Sequence, residues 1–242
     1  MQYWNALKII QQVAAELGLP QPVALPALGD VQSNQLVALL NSAGNELLMY
    51  YPWEQFVKHW NFVTVDGRES YAVPMDLAYF VDQTQWDSTN RKPLLGPKSP
   101  QEWAWLKSGT VATAPRMRYR IADNKLKLLP VPGATPLAID MEYMSCNWVA
   151  PVDELGTQNM INIGTDIALY HPWMLVKFIK MKFYELKGFD TTSVRADFLR
   201  LFNSLTGKDK GGAKLSLSPQ FPPMFIGPWS VPDGSWDVGV AP

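Results

Sequence analysis

The chain of 242 residues carries 21 Lys and Arg against 22 Asp and Glu, for a formal charge of −1. A chain so balanced has no overall field to gather nucleic acid or an anionic membrane surface. With 47% hydrophobic and 18% charged residues it has the composition of a globular protein with a sizeable core; its single cysteine, Cys146, excludes an internal disulfide and lies outside any metal-ligand spacing.

Residues 3–17 read as an amphipathic helix, because Tyr3, Leu7, Ile10, Ala14 and Leu17 recur at steps of three and four. Gly18 and Pro20 end it. Gln11, Gln12 and Glu16 interrupt the apolar run, so no secretion leader is expected. No stretch approaches the roughly 20 apolar residues needed to cross a bilayer. A connector with Pro20, Pro22 and Pro26 follows. Asp30 is then placed to cap a second helix with Leu36, Leu40, Ala43, Leu47 and Tyr50 along one stripe. Pro52 breaks that helix, and Trp53, Phe56, Val57 and Trp60 form a short apolar turn beyond it.

At Asn61 the period changes. Phe62, Thr64 and Asp66 alternate with Val63 and Val65, and Asp66-Gly67 is a turn dipeptide before a strand over 70–73. Further strands are expected at 79–83, 117–121, 125–129 and 137–145, with Asp123-Asn124 as a hairpin turn. One short helix over 100–107 is expected among them, with Ser99 as its cap and Glu102 at the capping-box position. Helical period returns after Tyr170. Pro172 suits a first helical position, Leu175, Phe178, Ile179 and Leu186 form an apolar face, and Gly188 stops it. Asp190 to Thr192 cap a last helix with Val194, Phe198, Leu201, Phe202 and Leu205 inward, closed by Gly207 and Gly211-Gly212.

This order predicts an α+β fold: an antiparallel helical bundle with an inserted mainly-β module and an extended C-terminal arm. Residues 1–60 and 160–206 are the two halves of the bundle, 61–159 the β module and 207–242 the arm. The 36 residues of the arm include six Pro and six Gly, which exclude a helix or a central strand. Yet Leu215, Leu217, Phe221, Met224, Phe225, Ile226, Trp229 and Trp236 punctuate it, whereas a free tether is poor in such residues. Either it orders on another surface or it lies on its own domain. Extended, it reaches on the order of 100 Å at about 3.3 Å per residue.

Signs of catalysis are scarce. His59 and His171 are the only histidines, and neither has a neighbour at metal-ligand spacing. No G-x-S-x-G elbow occurs, and Gly211-Gly212, with Lys208, Lys210 and Lys214 nearby, follows no strand and so makes no phosphate loop. Asp140 and Glu142 share one face of an expected strand. They are the one pair considered for glycoside hydrolysis, against a solvated edge or pairing with arginines. No catalytic, cofactor or metal residue is assigned. Ten tryptophans leave open a glycan-binding or cell-wall-degrading module, which requires several of them on one face of the β module; abundant large aromatics equally suit subunit interfaces. Arg116, Arg118 and Arg120 alternate with Met117, Tyr119 and Ile121, so three cations leave one sheet face, toward a partner or toward solvent. Between 170 and 214 nine Lys and Arg stand against four Asp and Glu; they line a DNA passage, meet an acidic partner, or, as for Lys177, Lys180 and Lys187, form a solvated face.

The run from Trp86 through Asn90, Arg91, Pro93, Gly96 and Pro100 to Trp103 resembles a segment of phage adaptor proteins of the tail tubular protein A and head–tail connector type. Arg120-Ile121, Leu126, Leu128, Pro130 and Pro132, then Glu142-Tyr143 and 145–149, are similar to the same proteins, as is the stretch ending at Trp53. The likeness spans roughly residues 30–205 and leaves the arm unmatched. It implies a non-enzymatic virion protein at the head–tail interface, assembled in the host cytoplasm. Its partners would be the portal protein and the tail nozzle or tail tube protein. It would form a homo-oligomer, a dodecameric ring, whose lumen passes genomic DNA without sequence-specific binding. Such a ring needs two different sticky sides per subunit. On this reading Phe221, Phe225, Trp229 and Trp236 anchor the arm on the portal. Trp86, Asn90, Arg91, Arg116, Arg118 and Arg120 contact the nozzle or the next subunit.

Overall fold

The structure is a computed structural model and describes residues 3–25, 30–108, 116–152 and 156–209. The described elements are α+β. In chain order they are β1 (Trp4–Asn5), α1 (Ala6–Leu17), α2 (Val31–Tyr50), a 3-10 turn (Glu54–Phe56), β2 (Val57–Val63), β3 (Ser70–Ala72) and β4 (Leu77–Phe80). Then come β5 (Trp86–Asp87), β6 (Lys92–Pro93), α3 (Pro100–Lys107), β7 (Arg118–Ala122), β8 (Lys125–Leu129) and β9 (Ala138–Ser145). The chain closes with β10 (Val149–Ala150), β11 (Ile167–Ala168), α4 (Pro172–Lys187) and α5 (Thr192–Asp209). The chain divides into two compact units, one helical that runs to Val57 and resumes at Ser145, the other β-rich from Lys58 to Met144.

In the helical unit α4 packs against α1, α2 and α5. The first helix starts later than its periodicity suggests. Asn5 caps it by accepting from the Lys8 amide at 3.0 Å, and Trp4 and Asn5 form a strand paired to Ala168 and Ile167. Its buried face is Ala6, Ile9, Ile10, Val13 and Ala14 rather than the stripe through Tyr3, Leu7 and Leu17. The pairing of β1 decides this: Trp4 and Asn5, held as a strand, cannot also open the helix. Asp30 caps α2 as expected, and Leu36, Leu40, Ala43 and Leu47 are buried. Tyr50, expected on that stripe, is exposed, as is Leu186 on α4. Pro172 begins α4, and Gly188, at φ 72°, turns the chain into α5, where an L-side chain would be strained. Gly207 does not close α5, which continues to Asp209; the Tyr51 hydroxyl donates to Thr206 O in its last turns.

An aromatic group fills the middle of this unit. Trp148 and Tyr170 are wholly buried, with ring centres 5.8 Å apart, and Trp53 and Phe56 lie 5.9 and 5.0 Å from Tyr170. Tyr170 donates to Gly44 O at 3.0 Å and the Trp148 indole donates to Asn45 Oδ1 at 3.2 Å, so both polar tips end on α2. The loop before β11 is tied to the same unit. Asp166 is buried and its carboxylate accepts from the amides of Asn162 and Ile163 and from Gln158 Nε2, at 2.8, 3.0 and 2.9 Å. Removing that carboxylate leaves three donors unmatched. Asp166→Ala is expected to cost about 1.5–3 kcal/mol, the range for bonds to a charged group, read by urea unfolding.

The β-rich unit begins at Lys58, earlier than the change of period at Asn61, and closes at Met144. Residues 145–152 and 156–159, expected in the β module, belong to the helical unit, where Val149 and Ala150 pair with β11. Two sheets share one core. In the first, β9 lies between β2 and β5, with β6 beyond β5 and β4 also on β9; in the second, β8 lies between β3 and β7. Asp123 and Asn124 both take positive φ and join β7 to β8 as a tight hairpin, as the sequence predicts. Tyr71, Tyr119, Leu126 and Leu128 from one sheet meet Ile139 and Met141 from the other, with Leu94 and Met117 between them.

Leu94 is carried into this core by a segment that leaves β6 and runs beside β7. The Leu95 amide donates to Met117 O at 2.9 Å, the Tyr119 amide to Leu95 O at 3.1 Å and the Lys98 amide to Tyr119 O at 2.9 Å. A side chain at Gly96 would meet Tyr119 O at 2.6 Å, so only glycine lets the two backbones approach this closely. Ser99 and Glu102 then form the expected capping box at the start of α3.

Candidate partner-binding surface

The residues expected to meet a partner fall in two places on the β-rich unit. Trp86, Asn90 and Arg91 lie on the hairpin joining β5 to β6, where Trp86 pairs with Pro93 on one side and Asp140 on the other. Asp87, buried beneath the turn, accepts from the amides of Thr89 and Asn90, both at 3.1 Å, and from Asn90 Nδ2 at 2.8 Å. Asn90 therefore holds the turn, while Arg91, at φ 54°, and Trp86 are exposed at its surface. The Asp87 turn was missed in the sequence, although Asp followed by Ser-Thr-Asn is an Asx-turn signal that could have revealed it.

Arg118 and Arg120 lie on β7, alternating with buried Met117 and Tyr119, so their side chains leave the sheet on the face turned from the core. Arg116 just precedes the strand. Ile121, expected to face inward with Tyr119, is exposed near the hairpin end. Arg120 stands directly opposite Lys127 of β8. The four anchors expected on the arm, Phe221, Phe225, Trp229 and Trp236, lie outside the described residues.

Residues considered for chemistry have structural partners. Asp140 accepts from Ser88 Oγ, and Glu142 lies 3.5 Å from His59 Nε2. Of the tryptophans in the β-rich unit, Trp103 is buried and Trp60 packs on Phe62 and Phe80 at 4.7 and 5.8 Å. Trp86 on β5 and Trp105 on α3 are left exposed, which makes no row of rings along a strand. Burial, and then Lys208, hold the His171 imidazole below its usual range; its Nδ1 is buried with no hydrogen-bond partner among the described residues. Burial pushes the Tyr119 and Tyr170 hydroxyls up, as expected of core phenols. No cluster of His, Cys, Asp and Glu suited to a metal occurs among the described residues. On α4, Lys177, Lys180 and Lys182 pair with Asp197, Glu16 and Glu46, which ties the helices together.

The helical unit has an open groove of about 520 Å³ between α2, α4 and α5. Phe178, Phe198 and Phe202 form its floor, with Phe178 and Phe198 stacked at 4.5 Å, and Glu46, Lys182, Glu185 and Arg195 line it as well. A smaller hollow of about 260 Å³ is bounded by Trp53, Tyr170, His171 and the end of α5. Neither presents a convergent set of acid, base and nucleophile. The surface suits contact more than chemistry.

The family model described as SU10 adaptor protein matches residues 4–219. The chain belongs to the SU10 adaptor protein family. The match spans both units, from β1 past the end of α5. This is a phage head-to-tail adaptor family, so the chain is a phage structural protein and a virion component that meets other virion components. No curated protein matches the chain. Among the described residues of this adaptor, no helix is long and apolar enough to cross a membrane.

Proposed function

We propose that this protein joins the portal to the tail nozzle or tail tube as a dodecameric ring beneath the portal, and that its lumen continues the channel through which DNA is ejected. The family match over residues 4–219 is the observation that carries the reading. The arrangement of the chain agrees with it. A ring needs a heterologous contact repeated until it closes, so each subunit must present two unlike surfaces. The chain's two units, each with its own core, give it more than one kind of surface.

In this proposal the bundle helices form the ring wall and the portal-facing surface. The arm, taken as the residues that follow α5, is held on the portal by Phe221, Phe225, Trp229 and Trp236. Trp86, Arg91 and the arginines at 116, 118 and 120 meet the nozzle or the next subunit, and Asn90 acts by keeping the turn in shape. The ring assembles on the portal in the host cytoplasm and performs no catalysis. Purified full-length protein is expected to co-sediment with assembled portal, and a label on this subunit is expected to mark the head–tail junction in electron micrographs of intact particles. A label found on the capsid faces or fibres, with no binding to portal, would refute the reading.

A further inference from the structure

The two outer faces of the β-rich unit carry opposite charge. On the sheet of β3, β8 and β7, the residues that alternate with the core positions include Arg118 and Arg120 on β7 and Lys125 and Lys127 on β8. On β9, in the other sheet, the residues alternating with Ile139 and Met141 are Asp140 and Glu142. Both sheets turn their apolar residues into the same core, so these charges leave the unit on different sides.

The basic face contains one unfavourable pairing within the unit. Arg120 and Lys127 are directly opposite across the β7–β8 ladder, a like-charge pairing that weakens a sheet. Lys127 is partly compensated by Asp123, at 3.6 Å across the hairpin end. The acidic face is laid out for contact as well. Asp140 stands beside exposed Trp86, a residue type that concentrates at interface centres. Among the described residues the carboxylates of Asp140 and Glu142 meet Ser88 and His59, and a carboxylate accepts more than one bond.

We propose that the basic face of one copy docks on the acidic, Trp86-bearing face of the next, giving the head-to-tail contact between subunits. Charge complementarity selects a second copy of this chain as the occupant. The two faces belong to the same unit, are of opposite sign and lie on different sides, which is the condition for a repeating heterologous contact. A nucleic-acid partner would use the basic face alone and leave the acidic face unexplained; the formal charge of −1 gives such a partner no long-range attraction. The inference rests on the adaptor reading for its biological setting, but the contact is a property of the chain itself.

Charge reversal at two residues of each face tests it. The variant R120E/K127E leaves two cations against two carboxylates on the formerly basic face and so cancels its charge, and D140K/E142K is basic on both faces. Sedimentation velocity of the full chain at low salt is expected to show self-association in the unmodified protein, weakened on the order of 10- to 100-fold in either variant. In the mixture the intact acidic face of R120E/K127E meets the intact basic face of D140K/E142K, so pairwise association is expected to return to within about threefold of the unmodified protein. A mixture no better than its parts overturns the proposal, as does an unmodified chain that stays monomeric at low salt. Salt-sensitive duplex DNA binding lost in R120E/K127E, with self-association unchanged, assigns the basic face to DNA and also overturns it. Circular dichroism checks folding; if a reversed variant is unfolded, R120Q/K127Q and D140N/E142Q carry the test, and association unchanged in both overturns the proposal. Portal co-sedimentation separates the two readings. Binding to portal without charge-dependent self-association removes this inference alone, whereas charge-dependent association without portal binding removes the portal reading alone.

Discussion

Trp148→Ala is expected to destabilise the helical unit by about 3–5 kcal/mol, the cost of removing a fully buried large aromatic. The side chain is 0% exposed, and its ring lies against Gly44 of α2 so closely that a Cβ there would overlap the indole. Gly44 in mid-helix costs about 0.5–1 kcal/mol relative to alanine, and the packing of this ring explains why glycine occupies the site. Gly44→Ala is accordingly expected to destabilise by about 1–3 kcal/mol through overpacking, despite its better helix propensity. The double variant is the informative one. With the indole gone, the methyl introduced by Gly44→Ala has room, so the pair is expected to cost less than the sum of the singles. Urea unfolding followed by circular dichroism measures all three. A Trp148→Ala cost below about 1 kcal/mol, the level of an ordinary single substitution, would show that this ring does not organise the unit.

Deletion of residues 213–242 is expected to leave the two units folded and to reduce portal binding by about 10²–10⁴-fold, the range by which linked contacts exceed single ones. The argument is one of multiplicity. Each arm loses conformational freedom when it orders, so one arm on one portal subunit binds modestly. Many arms held on a ring engage together, and the effective concentration of each is set by its neighbours. Substituting Phe221, Phe225, Trp229 and Trp236 with serine in the full-length chain is expected to reproduce most of the loss, with the thermal midpoint within a few degrees of the unmodified protein. Binding undiminished in both variants would remove the arm from the mechanism and leave portal contact to the helices.

Where structure is set by neighbours in the chain, the sequence was sufficient. The capping box of Ser99 and Glu102, the start of α4 at Pro172, its stop at Gly188, and the Asp123-Asn124 hairpin all stand where local chemistry puts them. Each depends on the backbone preference or side-chain reach of a few adjacent residues. The short strands were not legible in this way. β1, β5, β6, β10 and β11 are two residues each, too short for alternation to register, and they exist because distant segments pair: Trp4 with Ala168, Trp86 with Asp140.

The same division holds for the candidate surface. The alternation of Arg118 and Arg120 with Tyr119 was readable from residue order, because a strand repeats every two residues. That Lys127 stands across from Arg120, and that Asp140 and Glu142 leave the unit on another side, depends on strand register and on two sheets sharing one core. The sequence by itself determined the α+β character, the capped starts of α2, α3 and α4, the stop of α4 and the family likeness, since these rest on composition, local capping and motif. Only the tertiary structure decided which face of α1 is buried, why Gly44 must be glycine and how the charges are sorted, because each is a relation between residues far apart in the chain.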